Sequence, residues 1–547
     1  MWLRGKGWLI VWLVFLVSCG PTIPPSPVQP SPTPLALPAA ATPSPQPTAT
    51  EPAPPATPSP SPIIPTVASL PPKTDNLANR AWQMGLGNTG LWQYETNSFI
   101  HPRALEIVGE MAYLLDSGRV LRLDLRQPLA PQVILQPGMV IDNVPVLEPF
   151  DLTSDEGTLF VLDRAGDVYR YDSLAESWQL DRYDRAVRDV SSHYYVALAA
   201  AAGTRFLLET SYKFVQAYTV QGDTYAWLTG SSQEVDMGVS DGFAYVLTQG
   251  ADQVGQVMKV DAAQRVQVEW QITGELTRPR QLHVTSTSLI ILDQAGYRLQ
   301  AFDPATGVLQ RHWRFTQPIS TFWSHGERLI LAERDTLYFV GQPDLLATIS
   351  GGDLLATGQP QDPHNLTSLQ GLFLPIANTT MAGREFQLPG APRHYRLGVH
   401  EGMDFYKAMG TPVQAVAAGI IIRADQAYVE ATERQFGLMR DSVFLAGYTP
   451  PDALDFYRGR QIWLQLDNGW VAHYAHLSAI APGLEVGNRV TAGQVLGNVG
   501  NSGSPITQQD PAADVHLHFE LWLGDRYLGQ FLHPIEIQEW LSIIFRE

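Results

Sequence analysis

A strand–turn–strand pattern that recurs six times limits the fold more than any other feature of the chain. Each copy has a run of aliphatic and aromatic residues, a polar turn, and a second run in which apolar and polar residues alternate, which is the pattern of a β-hairpin. The copies follow one another at intervals of about 40 to 47 residues, the length of a four-stranded propeller blade. They are AYLLDSGRVLRLD (112–124), LFVLDRAGDVYRYD (159–172), FLLETSYKFVQAY (206–218), AYVLTQGADQVGQVMKVD (244–261), LIILDQAGYRLQAFD (289–303) and LILAERDTLYFV (329–340). The sequence therefore predicts a β-propeller of six or seven blades at residues 80–350.

The repeat resembles quinoprotein and WD40 propellers in architecture, although it lacks the Trp-Asp signature of the latter. A shared architecture carries no chemistry with it. Four histidines of this region are isolated from metal-ligand or nucleophile motifs, so we expect structural or surface roles for them: His193, His283, His312 and His325. A protein or glycan partner of the propeller is left open.

The N-terminus has the order of an export signal. Arg4 and Lys6 precede an apolar run, Trp8 to Val17, that is short for a membrane span. The sequence Leu-Val-Ser-Cys that ends at Cys19 resembles the bacterial lipobox, which implies cleavage before Cys19 and attachment of lipid to it. The alternative is an N-terminal anchor that is retained. Both interpretations predict an exported protein of the cell envelope, tethered to the outer face of the membrane, with residues 1–19 as the signal peptide.

The segment after the signal predicts a spacer. Residues 20–75 are rich in Pro, Ser, Thr and Ala, a composition that favours an extended, polyproline-like chain over a packed core. At about 3.1 Å per residue, roughly fifty such residues reach on the order of 150 Å. Cys19 is the only cysteine, so no intrachain disulfide is expected. A formal charge of −18 without long basic stretches argues against a nucleic-acid partner.

A second domain is predicted at residues 371–547, after a break in the repeat that indicates a linker at 351–370. Its candidate chemistry lies in three stretches: GVHEGMDF (398–405), WVAHYAHL (470–477) and DVHLHFEL (514–521). In the last of these, strand alternation places His516 and His518 on one face. It places the apolar residues Val515, Leu517, Phe519 and Leu521 on the other face. Two imidazoles side by side suit a metal site, although two ordinary histidines on a solvated face are the alternative for the pair taken alone.

The stretch HEGMD does not predict a helical zinc motif. Gly402 weakens a helix, and the following GTPVQAVAAGIII is rich in Gly, Pro and β-branched residues. The fifth residue is also Asp404 where the helical HExxH motif has a second histidine.

Taken together, the motifs of this domain resemble the lysostaphin/LytM-type zinc metallopeptidases over residues 385–535. The resemblance rests on the order, spacing and flanks of His400-x3-Asp404, TPVQAVAAG, Tyr474-Ala475-His476-Leu477, VGNRVTAGQVLGNVGNSG and His516-Leu517-His518-Phe519-Glu520. It implies an antiparallel β-sheet domain that cleaves peptide cross-links of bacterial peptidoglycan. It also implies Zn²⁺ ligands at His400, Asp404 and His518, and catalytic histidines that do not bind the metal at His476 and His516.

General coordination chemistry agrees with this division of roles. A catalytic zinc keeps a position for water, so it does not take both histidines of the pair and two further ligands. His473 competes with His476 for the remaining role. Strand alternation groups His476 with Trp470, Ala472 and Tyr474, and turns His473 away, so His473 is predicted to be structural. Glu520 lies on the histidine face, either orienting a ligand or pointing to solvent.

Two segments exceed the usual length in this family, namely 424–460 and the residues before the histidine pair, and we expect both to rim or partly cover the groove. The leading interpretation of the whole chain is all-β, with a propeller followed by a zinc metalloendopeptidase of the cell wall. The alternatives are a non-enzymatic LytM-like activator of a cell-wall amidase, and a binding or scaffold lipoprotein built on the propeller. The sequence leaves the cleaved bond open.

Overall fold

The structure is a computed structural model that describes residues 91–95, 99–126, 130–185, 193–230, 232–315, 317–325, 328–334, 336–340 and 362–546. The predicted signal peptide with Cys19, the Pro-rich spacer and residues 351–361 of the predicted linker lie outside these described residues. Within the described part of the chain, no helix is long and apolar enough to span a membrane.

Six antiparallel sheets form a propeller, which we number as blades 1 to 6 in chain order. The strands, innermost first, are Pro102–Val108, Met111–Asp116, Arg119–Asp124 and Gln132–Leu135 in blade 1; Pro149–Asp155, Thr158–Asp163, Val168–Asp172 and Ser177–Arg182 in blade 2; Tyr195–Ala201, Thr204–Glu209, Phe214–Thr219 and Gly222–Leu228 in blade 3; Gln233–Ser240, Phe243–Gln249, Val254–Asp261 and Val266–Gln267, with Leu276–Thr277 added, in blade 4; Gln281–Val284, Leu289–Asp293, Arg298–Phe302 and Leu309–Arg314 in blade 5; and Thr321–His325, Arg328–Ala332 and Thr336–Val340 in blade 6. A short hairpin, Val140–Ile141 with Val144–Pro145, joins blades 1 and 2.

The ring closes with six blades. The innermost strands of successive blades contact one another, and those of blades 6 and 1 do so as well. The first described strand, Leu91–Glu95, pairs with Thr336–Val340 and completes blade 6 from the other end of the propeller sequence. The predicted propeller is confirmed, and its blade number is six.

A buried carboxylate at the end of the second strand explains the acidic residue in most copies of the repeat. In blade 1, Asp116 accepts the backbone N–H groups of Ile100 and His101 at 2.9 and 2.6 Å. It thereby satisfies donors that precede the innermost strand and would otherwise be buried without a partner. Fully buried acids stand at the same place in other blades: Asp163, Glu209 and Asp293.

The remaining described residues, 362–546, form a second β-domain. Its main sheet has the strand order Met403–Phe405, Leu517–Leu523, Val471–Ala475, Ile462–Leu466, Gly419–Ala424 and Arg489–Val490, with Arg526–Tyr527 paired to Leu517–Leu523. The smaller sheets are Pro412–Gln414 with Val495–Asn498 and Ala479–Ile480, Leu372–Phe373 with Phe545–Arg546, and Pro392–Arg393 with Gly398–Val399. Its helices are α1 (Glu433–Ala446), α2 (Pro451–Arg458) and α3 (Pro534–Ile544), and its short 3-10 turns lie at Leu366–Leu369, Glu385–Gln387, His394–Arg396 and Pro505–Gln508. A further 3-10 turn, Gln294–Gly296, lies in blade 5 of the propeller.

The core of this domain corrects the predicted linker. Leu517, Phe519 and Leu521 are fully buried in it, as strand alternation predicts. Leu366 and Leu369 are fully buried in the same cluster. Residues 362–370 therefore belong to the domain, and the prediction that they are linker is wrong.

The second domain packs directly against the propeller through buried polar groups. The buried Arg164 guanidinium of blade 2 donates to the Leu532 carbonyl at 2.6 Å, and the Tyr527 hydroxyl donates to Glu148 at 2.6 Å. Helix α3 begins at the central channel, where Glu536 pairs with Arg103 of blade 1 at 3.2 Å. The channel holds a cavity of about 340 Å³, and the first turn of α3 lines it.

Candidate metal centre

Three side chains converge where the first two strands of the main sheet meet. Asp404 lies directly opposite His518 in the pairing of Met403–Phe405 with Leu517–Leu523, and His400 precedes this strand by one short loop. His400 Nε2 lies 2.9 Å from both Asp404 Oδ1 and His518 Nδ1, and His518 Nδ1 lies 3.0 Å from Asp404 Oδ1. All three residues are buried. Within the described residues, these three form the group of donors that is close enough to hold one metal ion.

The loop before Asp404 is extended, as the sequence predicts, and only glycine fits at its closest approach. A Cβ atom on Gly402 would lie 2.4 Å from the Phe519 carbonyl oxygen. The backbone at Gly402 therefore packs closely against strand Leu517–Leu523, and this packing places His400 next to the side chains of Asp404 and His518.

Each of the two histidines His400 and His518 makes a hydrogen bond with one ring nitrogen, and this bond leaves the other ring nitrogen facing the point where the three side chains converge. His400 Nδ1 lies 2.9 Å from the Leu388 carbonyl, so Nδ1 carries the proton and Nε2 is left with its lone pair. His518 Nε2 lies 2.7 Å from Glu520 Oε1, an acceptor as well, which leaves Nδ1 with a lone pair in the neutral ring. Two lone pairs and a carboxylate oxygen therefore face one another at about 3 Å, an arrangement that requires a positive charge between them.

The pKa shifts of His518 and Asp404 also indicate that the site favours a positive charge. Burial opposes a charge on His518, but its hydrogen bonds to Asp404 and Glu520 raise its pKa to about 9. Burial would also raise the pKa of Asp404, but His400, His516 and His518 hold it well below its usual range. Arg393 Nη2 bonds the second carboxylate oxygen of Asp404 at 3.0 Å and fixes its orientation. A proton on His518 meets the demand for charge without metal, and a divalent cation would meet it in the proton's place. The donor set fits Zn²⁺, which takes imidazole and carboxylate ligands.

Two further histidines lie beside the three donors. The His516 ring lies 4.7 Å from the His476 ring between centroids, and His516 Nε2 lies 3.6 Å from Asp404 Oδ1. Carbonyl oxygens hold the far side of each ring, since His516 Nδ1 bonds Asp514 at 2.8 Å and His476 Nδ1 bonds Ser502 at 2.7 Å. The Nε2 atoms of both rings are thereby left for the site.

The two rings differ in charge preference. Burial and the neighbouring histidines lower the pKa of His476 to about 3, so its Nε2 is an acceptor. Burial also opposes a charge on His516, but Asp404 and Asp514 outweigh it and raise the pKa of His516. At neutral pH the His476 ring is therefore unprotonated, whereas the two carboxylates favour a proton on His516.

The predicted orientation of His473 is wrong. Its strand partner is Glu520, and His473 Nδ1 bonds Glu520 Oε2 at 3.0 Å, so His473 lies on the same sheet face as His518. Ala472 and Tyr474 are buried in the core on the opposite face. His476 reaches the site because the strand ends at Ala475 and His476 adopts a left-handed backbone with φ of 57°, which strand alternation does not describe.

Glu520 bonds His518 and does not point to solvent, so the solvent-facing alternative left by the sequence is wrong. Its carboxylate is fully buried and accepts from His518, from His473 and from the Trp522 indole at 2.5 Å. Arg458 completes the set, with Nε 2.8 Å from Oε1 and Nη2 2.6 Å from Oε2. Sequence reasoning missed Arg458, because it lies in the 424–460 segment, outside any motif and 62 residues before Glu520 in sequence.

Comparison with known proteins identifies a family for part of the second domain. Residues 398–529 match the model of peptidase family M23. No curated protein matches the chain. Solved structures similar to it include virginiamycin B lyase from Staphylococcus aureus (10% identity, 46% of this chain and 98% of that chain, TM-score 0.33), the computationally designed Ika8 protein (9%, 45% and 98%, 0.31) and a nidogen/laminin complex (15%, 41% and 86%, 0.33). The resemblance stated from the sequence is confirmed: an M23-type peptidase domain follows a propeller.

Proposed function

We propose that the M23 domain of this chain is a zinc metalloendopeptidase that hydrolyses peptide cross-links of bacterial peptidoglycan. The observation that carries the proposal is the convergence of His400 Nε2, Asp404 Oδ1 and His518 Nδ1 within 2.9–3.0 Å of one another, with two more histidines beside them. A catalytic zinc site has three protein ligands and at least one position left for water or substrate. The complete donor set favours an enzyme over a non-enzymatic activator of an amidase.

When bound, zinc would act as a Lewis acid that polarises the scissile carbonyl and activates water for attack. The histidines of this chain then divide the proton transfers. His476 Nε2, neutral and held by the Ser502 carbonyl, accepts the proton of the attacking water. His516, held by the Asp514 carbonyl, donates from Nε2 to the oxyanion or to the leaving amine.

The proposed location is the outer face of the cell membrane. Support comes from the sequence, in which a basic and apolar leader ends at Cys19 and a Pro-rich spacer follows. We propose that lipid on Cys19 anchors the protein and that the spacer lets the peptidase domain reach cross-links in the wall. We further propose that the propeller binds wall glycan or a protein partner in the envelope.

Digestion of defined muropeptides by the purified full-length protein tests the proposal. The expected result is cleavage of a peptide bond, seen as new fragments by mass spectrometry. It should be abolished by a chelator, restored by one equivalent of zinc, and absent in a His518→Ala variant. A zinc-loaded protein that cleaves no cross-link peptide, but stimulates a separate amidase, would replace this proposal with the regulatory alternative.

A further inference from the structure

We propose that Arg458, the last residue of helix α2, is a positioning residue for the metal centre. It acts through Glu520 on His518 and does not itself contact metal or substrate. The inference rests on the proposed zinc site and deepens it. It assigns a role to the 424–460 segment, which the sequence led us to expect at the rim of the groove.

The contacts form one buried chain from the inserted helix to a metal ligand. The Arg458 guanidinium meets the Glu520 carboxylate through two hydrogen bonds, at 2.8 and 2.6 Å, the paired geometry that only arginine provides. Glu520 Oε1, which accepts the hydrogen bond from Arg458 Nε, also lies 2.7 Å from His518 Nε2. Arg458 is 8% exposed and Glu520 is 0% exposed, so water does not screen this chain of contacts.

The physical effect of Arg458 is to fix both the charge and the angle of Glu520. A fully buried carboxylate is costly unless it is paired, and among the described residues that contact Glu520, Arg458 is the only arginine or lysine. With Arg458 in place, Oε1 stays aimed at His518, and the ring presents Nδ1 to His400 and Asp404. Partners of this kind, one contact beyond the ligands, typically change metal affinity by about 10–100-fold when they are removed.

The backbone at the end of α2 provides a second, independent link to the site. The Arg458 carbonyl accepts the His476 amide N–H at 2.9 Å. The next residue, Gly459, has φ of 66°, and a Cβ atom there would lie 2.2 Å from the carbonyl oxygen of Ser502, which holds the His476 ring. The inserted helix therefore ends against the supports of two different site histidines, behind the histidine strand.

The test is zinc affinity, measured by competition with a chelator on the metal-free full-length protein. Arg458→Gln should bind zinc about 10–100-fold more weakly than the parent protein. Arg458→Lys keeps the charge but not the paired geometry, and should fall between the two. The matched control is Arg440→Gln in helix α1 of the same segment, where the side chain is 60% exposed, and its affinity should equal that of the parent. The cobalt-substituted protein should show a shifted visible spectrum in Arg458→Gln and an unchanged one in Arg440→Gln.

An Arg458→Gln protein that folds and binds zinc within twofold of the parent, with the parental cobalt spectrum, would overturn the proposal. If Arg458→Gln does not fold, the lysine variant decides, because unchanged affinity in Arg458→Lys would overturn it equally. These outcomes do not depend on cleavage. A parent protein that binds zinc but cleaves no muropeptide would refute the proposed function and leave this inference standing.

Discussion

The two domains bury aspartates in opposite ways. In the propeller, Asp163 accepts backbone N–H groups of Leu147, Glu148 and Ala165 at 2.8, 3.0 and 2.9 Å, so donors with protons surround it. In the M23 domain, Asp404 Oδ1 faces ring nitrogens of His400 and His518 that other hydrogen bonds orient as acceptors. Asp163 accepts hydrogen bonds from backbone donors and so stabilises the fold. Asp404 faces two ring nitrogens that can ligate a metal, so its surroundings favour a cation.

The largest effect should separate the two neighbouring histidines of the DVHLHFEL strand. His518→Ala removes one of three ligands and should lose zinc and all activity. His516→Ala should keep zinc near one equivalent and lose about 10²–10⁴-fold in turnover, the usual contribution of a positioned acid–base group. His476→Ala should behave like His516→Ala. Metal content and turnover of the three purified variants check this, and equal loss of metal from His516→Ala and His518→Ala would contradict the assignment.

A smaller effect is expected at His473, which the structure places beside Glu520. His473→Ala removes one of the donors to the Glu520 carboxylate and should weaken zinc binding by about tenfold. Chelator competition measures this directly. Zinc affinity equal to that of the parent protein would show that the hydrogen bond from His473 to Glu520 does not contribute to zinc binding.

The propeller side of the comparison predicts a loss of stability without a loss of metal. Asp163→Asn turns an amide N–H₂ group toward backbone donors and should lower the free energy of unfolding by about 1–3 kcal/mol. Denaturant unfolding measures the change, and zinc content should stay at that of the parent. A decrease in bound zinc in this variant would mean that the two kinds of buried acid are not independent.

The smallest effect concerns pH at the contact between the domains. Burial raises the pKa of Glu148 from its ordinary 4.5 to about 7, partly offset by Arg164. The fold thus favours the protonated acid, so its contribution to stability is present below about pH 4.5 and is lost as the pH rises through about 7.

Replacement of Glu148 by the neutral glutamine should remove the pH dependence of stability that arises from Glu148. The melting temperature of the Glu148→Gln protein should fall less between pH 5 and pH 8 than that of the parent, because glutamine does not ionise. Calorimetry at matched ionic strength checks this. Parallel pH profiles for the two proteins would place the titration at other groups.

The sequence predicts most of the architecture because repeats and strand alternation are local patterns. The hairpin repeat predicts the propeller, and the alternation in DVHLHFEL places the apolar residues in the core. The closure of blade 6 depends on strand Leu91–Glu95, which pairs with Thr336–Val340 from the other end of the propeller sequence. A pairing between residues so far apart in sequence leaves no local pattern. The last part of the predicted linker is wrong because Leu366 and Leu369 are buried by residues far along the chain.

The candidate site divides in the same way. The ligands His400, Asp404 and His518 are found by motif resemblance, and the structure brings them together. The backbone turn at His476 and the carboxylate network behind His518 depend on tertiary contacts. Arg458 in particular meets Glu520 only after the inserted helix has packed against the sheet.

The central claim is that the three donors His400, Asp404 and His518 form a cation site. Titration of zinc into the metal-free full-length protein tests this claim most directly. The account predicts one equivalent of tightly bound zinc per chain, and loss of that binding in His400→Ala, Asp404→Asn and His518→Ala proteins that keep the parental circular dichroism. Absence of zinc binding by the parent, or binding that is unchanged in all three variants, would contradict it.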